Sequence, residues 1–271
     1  MLIDSHCHID AVEFDLDRDA EIALAAQAGV AAIIIPAVHS ANYHAVIKLS
    51  QQYPACFFAL GWHPMYIDAA QPSDIATLRN LVAEQLADSN NKLVAIGEIG
   101  LDYFVTRQNQ ETQTYFFTEQ LKIAQDFDLP VILHVRRAID DVLKYLRRHS
   151  VKGGIAHAFN GSMQQAEAFA KLGFKLGFGG AMTYSRALKI RELAKNLGLE
   201  HIVLETDSPD ISPAWLGSQG RNSPKELHKI AEVLAEIRAV SVTQIIEITS
   251  KNSMSVLPKL ASLYTPVKVI C

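Results

Sequence analysis

Val94-Ala95-Ile96-Gly97-Glu98-Ile99-Gly100 is an apolar run of strand length with one carboxylate set into its far end. Counted as Leu93 to Gly97, it has counterparts at Leu2 to Ile9, Val30 to Pro36, Cys56 to Gly61, Pro130 to Val135, Gly153 to His157, Phe174 to Gly179 and Ile202 to Thr206. Near-continuous apolar character of this kind belongs to strands buried on both faces, as in parallel sheets covered by helices. Amphipathic stretches of helical length separate the runs. In Ser73 to Leu86, for example, Ile75, Leu78, Val82 and Leu86 fall on one stripe behind a Ser/Asp start signal. Gly29, Gly173 and Gly198 each follow a helical pattern and precede a strand-like run, where a left-handed glycine closes a helix.

Strand and helix signals alternating over 271 residues predict an α/β protein, a (β/α)₈ TIM barrel forming one domain from 1 to 271. A doubly wound open sheet is the alternative. The segments Pro224 to Ile237 and Thr243 to Leu257 are expected to cover the barrel, and the tail from Ser262 to fray. With 49% hydrophobic and 20% charged residues the chain can bury a large core, which excludes disorder as the default. Cys7, Cys56 and Cys271 are odd in number and far apart, so they form neither a disulfide framework nor a metal knuckle. No basic-then-apolar leader precedes Asp4, and no apolar run nears the roughly 18 residues of a membrane span. The expectation is a cytoplasmic protein without a membrane or an obligate protein partner. A net charge of -4 means that any polyanion must be held by a local field.

The C-terminal ends of barrel strands build active sites, and here those ends are polar. His6 and His8 stand on the first run, with alternation placing both imidazoles on one face and Cys7 on the other. His63 follows the third, Glu98 and Asp102 end the fourth, His134 the fifth, His157 the sixth and Asp207 the eighth. Taken alone, His134 or His157 could be a hydrogen-bonded core histidine. Glu98 and Asp207 resist that reading, because a buried carboxylate without a cation is costly. Four imidazoles and two carboxylates match the needs of two divalent ions about 3.5 to 4 Å apart, with Glu98 as the natural bridge. The centre would leave a positive focus attractive to phosphate. His39, His44, His149, His201 and His228 lack such a constellation and read as ordinary residues.

Asp4-Ser5-His6-Cys7-His8, Gly61-Trp62-His63-Pro64, Gly97-Glu98-Ile99-Gly100-Leu101-Asp102-Tyr103, Leu129 to His134, His157 to Ser162, Glu205-Thr206-Asp207-Ser208-Pro209 and Arg221-Asn222-Ser223-Pro224 follow one another in order. In that order the chain resembles the TatD family of metal-dependent deoxyribonucleases, within the amidohydrolase-like barrels. The resemblance implies that His6, His8, Glu98 and Asp207 hold one metal and Glu98, His134 and His157 the other. It also implies that His63 and Arg136 lie near the scissile phosphate. One departure stands out: many members carry serine after the fifth-strand histidine, where this chain has Val135.

The chemistry expected is in-line attack on a DNA phosphodiester by water acidified between two metals, with no nucleophile elbow in the chain to compete. Asp207 would orient the water and take its proton, with Glu98 bridging and Glu205 supporting from behind. Nitrogen-rich ligation favours zinc, while manganese and magnesium also suit carboxylate bridging. Tyr103, Arg136 and Arg221 are candidate substrate contacts; Arg137 and Arg186 follow the fifth and seventh runs. Trp62, Phe104, Phe159, Tyr184 and Trp215 share these loops and either stack on single-stranded or frayed DNA or pack the rim. The same ion pair could instead hydrolyse a small ester, lactone, amide or phosphotriester, or an acyl-transfer-RNA ester.

Overall fold

The computed structural model describes residues 1–104 and 109–263. Eight parallel strands occur in it: β1 (Leu2–Asp4), β2 (Val30–Pro36), β3 (Cys56–Leu60), β4 (Leu93–Asp102), β5 (Val131–Arg136), β6 (Gly154–Ala156), β7 (Phe174–Phe178) and β8 (Ile202–Leu204). They pair in sequence order, β1 to β8, in one sheet. Helices α1 (Arg18–Gln27), α2 (Tyr43–Gln52), α3 (Ser73–Ala87), α4 (Gln110–Asp126), α5 (Ile139–Leu146), α6 (Met163–Lys171), α7 (Leu188–Asn196) and α8 (Leu227–Arg238) alternate with them, followed by α9 (Val242–Val256) and α10 (Pro258–Leu263). The seam between β8 and β1 is drawn shut by Ser5 N–H donating to Leu204 O at 3.1 Å. Across it the buried Asp4 carboxylate accepts from Thr206 N–H at 2.9 Å and Thr206 Oγ1 at 2.6 Å. The TIM barrel is therefore nearly closed.

Period-two alternation sorts the strand residues into two apolar layers. Ile33, Ile35, Phe58 and Leu60 face the helices, where Phe116, Phe117, Leu121, Val142, Phe169 and Leu234 meet them. Ile3, Ile34, Phe57, Ala59, Ile132, Ile155 and Val203 fill the barrel interior together with Val256, Leu257 and Leu260. α9 and α10 thus close the N-terminal end of the barrel. Their polar residues hold the strand starts: Ser250 Oγ donates to Met1 O, and Asn252 Nδ2 to Leu199 O and Ile202 O.

Element boundaries follow local chemistry. α6 begins at Ser162, whose hydroxyl accepts from Gln165 N–H while the Gln165 side chain returns to Ser162 N–H. Gly29 and Gly173 are left-handed, at φ +86° and +84°, as the helix-stop reading expects. Gly198 is not, because a 3₁₀ turn at Leu199–His201 intervenes before β8. β4 runs on to Asp102, five residues past the expected Gly97, because Ile99 to Asp102 stay paired with Leu133 to Arg136. No helix among the described residues is long and apolar enough to cross a membrane. Of the tail expected to fray from Ser262, residues 262 and 263 end α10 and the rest lies outside the described residues.

Candidate metal centre

β1 stops at Asp4, so His6 and His8 stand beyond the strand rather than on it. The backbone there divides its hydrogen bonds between two neighbours: Cys7 N–H donates to Ile34 O of β2 at 3.0 Å, and His8 N–H to Ser208 O at 2.7 Å. Alternation nevertheless persists. Cys7 is buried against the outer layer with Sγ 3.6 Å from Ser208 Oγ, whereas His6 and His8 bring their Nε2 atoms within 3.2 Å of each other. Opposite them Asp207 is left-handed, φ +55°, its N–H donating to His6 O at 2.8 Å.

Glu98 sits at the centre, and its two oxygens face different imidazoles. Oε2 lies 3.2 Å from His6 Nε2 and 3.5 Å from His8 Nε2. Oε1 lies 2.8 Å from His157 Nε2, 3.0 Å from His134 Nδ1 and 3.2 Å from His63 Nε2. Asp207 Oδ1 closes the first group, 3.4 Å from His6 Nε2 and 3.8 Å from His8 Nε2. All six expected ligands converge, with Glu98 shared between two sets.

Proton inventory tests whether these residues fit a cation. His6 Nε2 faces His8 Nε2, and His134 Nδ1 faces His157 Nε2, each pair at 3.2 Å. Two lone pairs at that separation need a proton or a metal between them. In the metal-free protein, protons fill the need. Burial alone would lower His8 and His157, but Glu98 and Asp207 outweigh it and raise them to about 9 and about 10. His6 goes the other way, well below the usual imidazole range, through burial and the neighbouring His157. Burial would raise Glu98; His63, His157 and His6 together hold it well below the carboxylate range. His6 Nδ1 and His157 Nδ1 are buried without a hydrogen-bond partner among the described residues. Acceptor nitrogens crowded around two carboxylates fit divalent ions.

Hydrogen bonds also separate ligand from donor. His134 Nε2 lies 2.9 Å from Asp102 Oδ2, an acceptor, so it carries the proton and leaves Nδ1 free for a metal. His63 is the reverse case: Nδ1 accepts Met65 N–H at 3.1 Å, which puts the neutral ring's proton on Nε2, facing Glu98. Burial pushes His63 down to about 4, so the ring is neutral. His63 therefore presents an N–H to the centre, although its position beside Glu98 and His134 would suit a ligand.

The supporting residues are less visible in the sequence. Asp102 is pinned by Gln113 of α4, whose amide accepts from Asp102 N–H at 2.9 Å and donates to Asp102 O at 3.0 Å. Gln120, two helical turns on, treats Trp62 identically at 2.6 and 3.1 Å, fixing the loop that carries His63. Their seven-residue spacing on one helix face is the signal that could have found them. Glu205 points into the barrel where Gly177 leaves room: a Cβ there would stand 2.0 Å from Glu205 Oε2. Glu205 Oε1 accepts Ala158 N–H at 2.5 Å, which steadies the turn after His157. Burial pushes Glu205 up to about 8 and Asp4 to about 7.

Of the expected substrate contacts, Arg136 is exposed at the mouth with its guanidinium 3.5 Å above the Phe104 ring. Tyr103 N–H donates to Arg136 O, and the Tyr103 ring lines a cavity of about 370 Å³ beside them. Arg221 is not brought to the centre. Its guanidinium grips Asp17 at 2.9 and 2.6 Å and Glu13 O at 2.6 Å, tying the loop after β8 to α1. Trp62 and Phe159 are buried and pack the rim, whereas Phe104 and Trp215 are exposed. The five other histidines lie outside the cluster, His201 and His228 beside the acids Glu200 and Glu232.

The family model described as TatD related DNase matches residues 3–258. The chain belongs to the TatD family. Its TatD relatives include the uncharacterized metal-dependent hydrolase YjjV of Escherichia coli K12, 40% identical over 93% of this chain and 95% of the relative. Human deoxyribonuclease TATDN3 is 32% identical over 97% of this chain and 96% of its own. The crystal structure of YjjV superposes with a TM-score of 0.89 at 39% identity, covering 95% of this chain and 98% of that one. This TatD protein is thus a metal-dependent hydrolase with candidate metal-binding clusters at the barrel mouth.

Proposed function

We propose that this TatD-family hydrolase is a cytoplasmic deoxyribonuclease that hydrolyses phosphodiester bonds of single-stranded or frayed DNA at a dinuclear centre. The division of the imidazoles between the two oxygens of Glu98 carries the reading. Further support comes from the names of the family model and of human TATDN3, and from the buried free thiols of Cys7 and Cys56, which suit a reducing compartment. His6, His8, Glu98 and Asp207 would hold one ion and Glu98, His134 and His157 the other, zinc first by ligand type, manganese or magnesium next. When bound, such ions acidify water and polarise a phosphoryl oxygen.

The chain's own groups do the rest. Asp207 orients the attacking water and accepts its proton. His63 Nε2–H donates to a phosphoryl oxygen, a role its neutral, Nδ1-accepting state permits. Asp102 keeps His134 in the Nδ1-ligating tautomer, and Glu205 steadies the backbone at His157. Arg136 docks phosphate beside the centre, with Tyr103 lining the neighbouring cavity. Metal-loaded protein assayed on labelled single-stranded DNA, duplex DNA and a panel of esters and lactones tests this. Chelator-sensitive DNA degradation that vanishes in His134→Ala is expected; turnover of esters or lactones alone would replace the nuclease with a small-molecule hydrolase.

A further inference from the structure

Two arginine–aromatic stations flank the metal cluster on different sides of the mouth. On the β4–β5 side the Arg136 and Arg137 guanidinia stand 3.5 and 4.5 Å from the centroid of Phe104, which is 42% exposed. Arg137, just beyond His134 in the chain, is left-handed, φ +55°, and lines the cavity of about 370 Å³. On the β7–β8 side the Arg186 guanidinium stands 5.7 Å from the Tyr184 ring. Both line a second cavity, of about 780 Å³, whose wall includes Pro209 and Asp210, just past Asp207. No carboxylate among the described residues forms an ion pair with Arg137 or Arg186, and Arg136 meets Asp102 only through its charge, in contrast to Arg221, which Asp17 neutralises on the wall of the larger cavity.

We propose that these stations grip a single nucleic-acid strand on both sides of the cleaved bond, so that the substrate continues past the metal centre in each direction. The proposal rests on the phosphodiesterase reading of the same site and adds the path of the strand. An aromatic face accepts any base, and a neighbouring unpaired guanidinium takes the adjoining phosphate, a sequence-tolerant pairing. Acids on the cavity walls, Glu13 and Asp210 on one side and Asp140 and Asp141 on the other, turn phosphates toward the arginines. Arg137 follows β5 and Arg186 follows β7, two strands apart in the ring with His157 of the β6 end between them, so a strand touching both stations passes the cluster. A small ester or a mononucleotide would need only one.

Anisotropy of a fluorescent, phosphorothioate-linked oligothymidylate on metal-loaded protein tests the path. The pair Phe104→Ala/Arg137→Ala and the pair Tyr184→Ala/Arg186→Ala should each weaken binding by about tenfold or more, and combined they should multiply. Phe104→Tyr should retain the grip, separating stacking from collapse of the loop, and thermal melts would report any unfolding. Loss through one pair only would put the strand on one side of the cut and overturn the proposal. So would wild-type affinity in both pairs, or absent binding by the native protein. Hydrolysis of a small chromogenic phosphodiester by the native enzyme judges the phosphodiesterase reading separately, so the two ideas can fail independently.

Discussion

At the N-terminal end of the barrel Val256, Leu257 and Leu260 close over Ile3, Phe57 and Ile132. At the other end His6, Glu98, Asp207 and His157 crowd together, their charged and lone-pair groups 2.8 to 4.0 Å apart. One sheet carries both. The apolar end gains free energy from every side chain it buries, while the polar end loses some to desolvation and like-charge crowding unless a cation enters. Stability and chemistry are therefore assigned to opposite ends, and changes at one should leave the other's property standing.

The largest effect expected is on turnover: Asp207→Ala should lower hydrolysis by about 10² to 10⁴-fold, the range for a lost general base, with little change in the melting temperature of the metal-free protein. Unchanged hydrolysis would remove Asp207 from the mechanism. The mirror experiment is Leu257→Ala. This fully buried side chain should cost about 2 to 5 kcal/mol in denaturant unfolding while activity per folded molecule persists. An activity loss exceeding the loss of folded protein would break the separation of the two ends.

A finer change tests how the mouth is held. Asp102→Asn removes the carboxylate that fixes the His134 tautomer, and metal affinity should fall about 10 to 100-fold by competition with a chelator. Unaltered affinity would mean that His134 needs no such partner. The smallest effect is a pH trend. His8 and His157 are raised to about 9 and about 10 in the metal-free protein, so their protonation stabilises it fully below their unfolded value of about 6.5. That contribution is lost as pH rises through 9 and 10, whereas metal-loaded protein has no protons there to lose. The melting-temperature gap between chelated and loaded protein should widen with pH; parallel curves would contradict the assignment.

The two ends also differed in how legibly the sequence announced them. Apolar runs such as Val30–Pro36 delimit their strand to the residue, because burial on both faces leaves no polar interruption to misread. Polar strand ends named the six expected ligands and His63 beside them, since a buried carboxylate without a counter-charge is costly and so Glu98 and Asp207 stand out in apolar surroundings. What escaped depends on three-dimensional partners. Nothing in the run from Leu2 to Ile9 announces that pairing stops at Asp4, because that follows from Ser208 and Leu204 drawing hydrogen bonds across the seam. Arg221 read as a phosphate contact because a loop arginine near a site carries no mark of its acid; Asp17 and Glu21 lie about 200 residues away along the chain. Gln113 and Gln120 were not singled out, because the backbone they pin, at Asp102 and Trp62, reaches α4 only in the folded chain.

Counting metal tests the central claim most directly. Chelator-stripped protein titrated calorimetrically with zinc should take up two equivalents per chain, and Glu98→Gln, which removes the charge shared by both ligand sets, should bind neither tightly. A single equivalent in the native protein, or two still bound tightly by Glu98→Gln, would contradict a bridged dinuclear centre.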